Sequence, residues 1–121
     1  PGIPGTEELL PLINTFGVVS GSLSLSQVVN LLSTGPAKAF GIYPQKGILK
    51  EGSDADIVLF NPEESWTLSS SSLHSAAGYT PYEGMTVTGK VVMTYLRGRL
   101  VMGDGLYLGL EGDGRFIRAS R

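Results

Sequence analysis

The sequence predicts an α+β chain, helical through its first third and built of strands beyond it. Three observations carry this. Apolar residues recur at helical spacing in the segments around Leu9–Phe16 and Leu25–Leu32. Glycines at 17 and 41 stand where helices would stop. From Gly47 onward, short apolar runs and turn dipeptides replace the helical period.

The elements follow in order. Thr6 suits the N-cap of a short first helix. Its apolar residues Leu9, Leu12, Ile13 and Phe16 fall at i, i+3, i+4 and i+7 and form one packing face. Pro11 is tolerated in a first turn and disruptive further in, which places the start of the helix near it, with Gly17 as the stop. Ser24 and Gln27 make a capping-box pattern for a second helix, with Leu25, Val28, Val29 and Leu32 along one face. Pro36 suits the first position of a third helix that ends at Gly41, with Ala37, Ala39 and Phe40 as its packing residues. Tyr43-Pro44-Gln45-Lys46-Gly47 reads as a connector.

Ile57-Val58-Leu59-Phe60 reads as a strand buried on both faces, ended by Asn61-Pro62. Ser65-Trp66-Thr67-Leu68 reads as a further strand. Residues 69–78 form a serine-rich loop with no period and little to anchor it. Val91–Leu96 and Arg99–Met102 form a hairpin around Arg97-Gly98, and Asp104-Gly105 marks another turn. Residues 110–121 are glycine-rich and mixed in charge, a surface arm.

Composition narrows the function. The chain has 121 residues, 41% hydrophobic and 17% charged, with a net charge of −2. That is enough apolar content to collapse and room for one small domain or a piece of a larger one. No basic block is present, which argues against nucleic acid or an anionic membrane as partner. No apolar run reaches the roughly 20 residues of a membrane span. The absence of cysteine rules out disulfides and thiolate metal sites, and fits a cytoplasmic location. The first residue is proline rather than methionine, within a motif, as expected of a fragment or processed product.

Catalytic signals are sparse. His74 is the one histidine, and no H-x-H or H-E-x-x-H pattern accompanies it, so it reads as a loop or packing residue. Asp54 and Asp56 alternate at strand spacing and point the same way; two carboxylates alone make a poor cation site, and a turn role fits better. Ser33 and Ser69–Ser72 lack a nucleophile-elbow setting. The glycine-rich run from Gly109 to Gly114 precedes no helix and reads as an arm rather than a phosphate loop. Pro1-Gly2-Ile3-Pro4-Gly5 fixes a tight path ahead of a helix, where backbone groups can meet a polar ligand.

Several segments together resemble one enzyme family. Ile3-Pro4-Gly5-Thr6-Glu7 resembles the P-G-x-E element of dihydroorotases, hydantoinases, dihydropyrimidinases and allantoinases. Leu23-Ser24-Leu25 is similar to their L-S-L segment. Ser33-Thr34-Gly35-Pro36-Ala37-Lys38-Ala39-Phe40-Gly41 is similar to their S-T-N-P-A-K-I-F-G segment, with Gly35 in place of Asn. Lys46-Gly47 and Gly52-Ser53-Asp54-Ala55-Asp56 resemble their K-G-x-I-x-x-G-x-D-A-D pattern. His74, Tyr79-Thr80-Pro81-Tyr82-Glu83-Gly84 and Arg97-Gly98-Arg99 complete the ordered series.

The resemblance to these cyclic amidohydrolases implies an α+β fragment. It comprises the terminal helices of a TIM-type (β/α)8 metal-dependent hydrolase barrel, followed by part of a small β-sandwich domain. The implied division is residues 1–44 for the helical part of the barrel, 45–108 for the small β-domain and 109–121 for a C-terminal arm. It implies hydrolysis of a ring amide at a zinc or other divalent metal pair, held by histidines, a carboxylated lysine and an aspartate that precede the P-G-x-E element. None of these ligands falls on this sequence, so the chain alone is expected to be inactive and to hold no metal. The one site implied here is the backbone at Pro1 and Gly2, near the substrate amide; Pro1 lacks an N–H and could offer only its carbonyl. The implied partners are the missing N-terminal part of the same polypeptide, a small cyclic amide and, for the full-length protein, further copies of itself. A non-catalytic binding or assembly module on the same scaffold is the alternative.

Overall fold

The computed structural model describes residues 2–119. Two helical stretches precede a four-stranded sheet. Helix α1 (Leu9–Ile13) continues without a break into a π-helical segment, Asn14–Val19. Helix α2 (Leu25–Val29) continues through a second π-helical segment, Asn30–Thr34, into α3 (Gly35–Ala39). Strands β1 (Ile57–Thr67), β2 (Thr86–Leu96), β3 (Arg99–Gly103) and β4 (Leu106–Tyr107) lie in the order β1-β2-β3-β4. The β2–β3 and β3–β4 pairs are antiparallel. No helix among the described residues is long and apolar enough to cross a membrane.

The helix boundaries differ from expectation for identifiable reasons. The first helix begins at Leu9, with Pro11 at its third position, where its missing N–H has no intrahelical partner to lose. Gly17 is not the stop. It sits buried within the π-helical segment, its Cα so close to Leu23 that an added Cβ would lie 2.7 Å from Leu23 Cδ1. The stop comes at Gly21, whose φ is +78°. Its N–H reaches Val18 O at 2.9 Å while Ser22 N–H reaches Gly17 O at 2.9 Å, a Schellman motif. Gly41 ends the second stretch in the same way, through Gly41 N to Lys38 O at 3.2 Å and Ile42 N to Ala37 O at 2.9 Å. Pro36 does not open a separate helix. It stands inside a continuous stretch, just after a π-helical segment that relaxes the backbone around a residue with no N–H.

The chain divides into two compact units, residues 1–25 with 60–90 and residues 26–59 with 91–121. In the first unit the interior is formed by Leu68 and Val87, both fully buried, with Pro11, Gly17 and Gly89, and by the polar residues Glu8, Asn14 and Thr80. The inward face of α1 and its continuation is therefore Glu8, Pro11, Asn14 and Gly17. The expected packing face points elsewhere: Leu9 is 46% and Phe16 60% exposed. Asn14 explains why a polar residue is inside. Its Nδ2 donates to Thr88 O at 2.7 Å and Pro62 O at 3.1 Å. Thr15 Oγ1 adds a bond from Thr88 N at 2.8 Å. These bonds join helix to strands at about 1 kcal/mol each, net of water.

The Pro62 bond also accounts for a second correction. β1 runs through Asn61-Pro62 to Thr67, merging the two strands expected on either side. Proline is tolerated because β1 is an edge strand, and the Pro62 carbonyl accepts from Asn14 Nδ2. Nor is Ile57–Phe60 buried on both faces: Val58 is half exposed and Leu59 exposed. The serine-rich loop is anchored, by a 3₁₀ turn at Ser70–Ser72 and by Ser70 N–H on the Glu83 carboxylate at 2.7 Å.

In the second unit Val28 and Ala37 are buried and the remaining expected packing positions are not; Phe40 is 73% exposed. Thr34 Oγ1 donates to Gly47 O at 2.7 Å, pinning the connector against the helix. The expected hairpin forms around Arg97 (φ +47°) and Gly98 (φ +80°), a type I′ turn. The register slips between Thr94 and Tyr95, whose partners are Met102 and Leu100, so Val101 is the extra residue of a bulge.

Candidate functional site

The one candidate site that the sequence offers lies on the loop ahead of α1. Pro1 lies outside the described residues. Gly2 is exposed, with φ of +108° and open space where a side chain would be, and Ile3 is 67% exposed. The left-handed conformation of Gly2 suits glycine.

Where this loop runs into the helix, two consecutive carboxylates hold it. Glu7 Oε2 accepts from His74 N at 2.8 Å, and Glu7 Oε1 lies 2.9 Å from His74 Nδ1. Glu8 Oε1 accepts from Thr80 Oγ1 at 2.8 Å, and Thr80 Oγ1 accepts in turn from Tyr82 N at 3.2 Å. Sequence reasoning placed His74 in a loop, as observed, but missed its partner and missed Glu8 altogether. The signal was the Glu7-Glu8 pair directly before an apolar helix; what it could not give was a partner more than sixty residues away.

Next to these anchors lies an open apolar hollow of about 400 Å³, lined by Leu12, Ile13, Phe16, Leu23, Tyr82 and Met85. It carries no convergent polar groups and has the chemistry of a packing surface rather than of a catalytic pocket.

The second candidate cluster is in the other unit. Lys46 Nζ donates to Asp54 Oδ2 at 2.9 Å and pairs also with Asp56 Oδ2. Asp56 Oδ1 accepts from Arg97 N at 2.8 Å. The two aspartates do point the same way, toward one lysine. The Lys46 hydrogen bond, supplemented by Gln45, holds Asp54 below the usual carboxylate range. Burial opposes charge on Lys46, but the two aspartates outweigh it and raise its pKa above 10.5. This is a structural ion network ahead of β1, in which Asp54 Oδ2 and both oxygens of Asp56 are engaged. Among the described residues no three of His, Cys, Asp or Glu converge in a way that could hold a metal ion.

The comparisons with known proteins agree with one another. The model of the amidohydrolase family matches residues 7–101. A D-phenylhydantoinase of Escherichia coli O1:K1 is 44% identical over 117 residues, 97% of this chain and 25% of that protein. The structure of a D-hydantoinase superposes with a TM-score of 0.91 at 44% identity, over 96% of this chain and 25% of the other. That of the L-hydantoinase (dihydropyrimidinase) from Arthrobacter aurescens gives 0.90 at 43%, over 95% and 26%. The chain thus spans about a quarter of the length of these relatives. With the family match covering most of its length and solved relatives sharing its fold, the chain belongs to the amidohydrolase family.

Proposed function

We propose that these residues are the C-terminal portion of a cyclic amidohydrolase of the hydantoinase and dihydropyrimidinase type, which opens a ring by hydrolysing its amide C–N bond. The observation that carries the reading is the sequence match to D-phenylhydantoinase over nearly the whole chain. Within the reading, residues 1–44 supply the last helical part of a TIM-type barrel, 45–108 part of a small β-sandwich domain and 109–121 an arm. Helices at 9–39 and strands at 57–107 follow that order, although the compact units of this chain cut across it.

Surface area supports the placement. A folded monomer of 12.8 kDa exposes about 6,300 Å² by surface–mass scaling. This chain exposes 8221 Å². The excess, about 1,900 Å² on this chain alone, is more than twice the roughly 800 Å² that each partner buries in a standard protein–protein interface. Leu9, Phe16, Leu25, Val29 and Leu31, each 46% exposed or more, are helix residues of the kind that cover a barrel.

Hydrolysis places a hydroxyl on the ring carbonyl carbon and a proton on the departing nitrogen. The contribution of this chain is to bind and orient: the Gly2 N–H and carbonyl lie on the loop that reaches the catalytic face, positioned against the ring amide. The residues described here do not fit a divalent metal pair. Asp54 and Asp56 are taken by Lys46, and His74 by Glu7. In this reading the zinc or other divalent ligands lie elsewhere in the polypeptide, and no step is assigned to them here. The complete protein is a homo-oligomer in the same reading.

The test is direct. The complete polypeptide carrying these residues, and these residues alone, are assayed for ring opening of phenylhydantoin and of a dihydropyrimidine, with metal content measured on both. Turnover and stoichiometric metal in the first, and neither in the second, support the proposal. A metal-loaded complete protein with no turnover on any cyclic amide refutes it and favours the assembly module.

A further inference from the structure

We propose that Glu7 and Glu8 are positioning residues: a two-point clamp on residues 74–80 that sets where loop 2–6, and with it the Gly2 backbone, meets a ring amide. The inference rests on the reading that this loop touches substrate.

Within this chain Gly2 and Ile3 are exposed, and the loop is held at its exit into the helix. There Glu7 uses both oxygens on one residue, binding the His74 backbone N–H and the His74 ring. A bidentate grip on a backbone N–H and an adjacent ring fixes direction as well as distance. Glu8 grips a second point six residues on, through the Thr80 hydroxyl. That hydroxyl takes its own hydrogen bond from Tyr82 N, so its proton is committed to Glu8. Two consecutive side chains bound to two separated points of one segment restrict rotation of the backbone between them, which a single contact would leave free.

The energetics of Glu8 point the same way. It is 1% exposed, and its Oε2 is buried with no partner among the described residues. A carboxylate buried with one oxygen unsatisfied is a costly way to fill space, and an apolar residue there would serve stability better. An unsatisfied buried polar group in a folded chain calls for a reason other than stability. Both anchors and the loop belong to one compact unit, so the clamp needs nothing from the other.

The experiment uses the complete, metal-loaded polypeptide, with KM and kcat measured on a cyclic amide for four disrupting variants and one conservative variant. Gly2→Ala strains the loop itself, since φ there is +108°. Thr80→Val removes the donor to Glu8 with little change of shape, and Glu8→Leu removes the acceptor. Glu7→Ala removes the other hold at a side chain 40% exposed, and so decides the matter if Thr80→Val does not fold. Each is expected to raise KM about tenfold while kcat stays within about twofold. Glu8→Gln keeps an acceptor for Thr80 and is expected to recover most of the KM lost in Glu8→Leu. A purely structural role would instead lower the melting temperature and the active fraction, and hence kcat, at constant KM. If Gly2→Ala raises KM while Thr80→Val and Glu7→Ala do not, the clamp is refuted and the substrate loop survives. If Gly2→Ala leaves KM unchanged, the substrate loop is wrong and the clamp falls with it.

Discussion

Replacing Gly89 with alanine probes how the first helix is joined to the sheet. A Cβ at this position would lie 2.4 Å from Phe60 Cζ and 2.8 Å from Asn14 Nδ2. Three costs arise. A side chain at φ +109° strains the backbone by roughly 1–3 kcal/mol. Forcing the Phe60 ring aside adds overpacking of about 1–3 kcal/mol. Moving Asn14 weakens its bonds to Thr88 O and Pro62 O, worth about 1 kcal/mol each. One displacement serves more than one of these terms, so the expected total is about 3–5 kcal/mol. Gly98→Ala is the control. Its φ is +80°, but nothing lies within 4 Å of its Cβ position, so it bears the backbone term alone, about 1 kcal/mol. Native-state hydrogen exchange over residues 86–96 is the assay, because it reads local opening without assuming two-state unfolding. Gly89→Ala should cost about a hundredfold or more in protection, and Gly98→Ala about tenfold or less. In an Asn14→Ala background the penalty at 89 should shrink by about 1 kcal/mol, since one clash is gone. Equal losses at 89 and 98, or strict additivity with Asn14→Ala, would refute the packing argument.

Two further predictions concern charged side chains. Asp54 and Glu83 have lowered pKa values, Asp54 through Lys46 and Glu83 through the Ser70 N–H, so the stability they confer is present above the ordinary carboxylate range and is lost as pH falls through the lowered values. Lys46, being raised, confers stability that is complete below its ordinary 10.5 and is lost as pH climbs past the raised value. Lys46→Met should therefore abolish the alkaline loss and shrink the Asp54 part of the acid loss, leaving the Glu83 part in place; melting temperature against pH reads both. Separately, the arm is tied down by Asp113, which accepts from Leu110 N at 2.6 Å, pairs with Arg99 and offers its carbonyl to Arg97 Nη2. Asp113→Ala should raise hydrogen exchange over residues 108–114 and leave the 93–103 hairpin as it was.

Features coded within a few residues were readable from the sequence. Gly41 ends its helix as expected, and Arg97-Gly98 makes the hairpin turn, because each acts through its own backbone dihedrals. Asp54 and Asp56 converge on Lys46 as expected, but from a turn ahead of β1, with Asp56 N on Asp54 O at 2.9 Å, rather than from a strand. The inward face of the first helix was not readable. Periodicity marks Leu9, Leu12, Ile13 and Phe16 as one face, but whether this chain covers it depends on what else is present, and within this chain the covered side is Glu8, Pro11, Asn14 and Gly17. Asn14 reaches carbonyls 48 and 74 residues away, so the reason Pro62 is tolerated within β1 had no local trace. The same holds for the site: the Pro-Gly loop was visible, while Glu8 and Thr80, 72 residues apart, were not.

The central claim is that the exposed apolar faces of this chain are contact surfaces for protein outside it. Sedimentation equilibrium on the isolated 121-residue chain, with thermal unfolding on the same sample, tests this most directly. Concentration-dependent association, with an irreversible or broad melt, is the predicted result; surfaces such as Leu9, Phe16 and Val29 must find a partner. A monomer at all concentrations with a sharp, reversible transition would contradict the account.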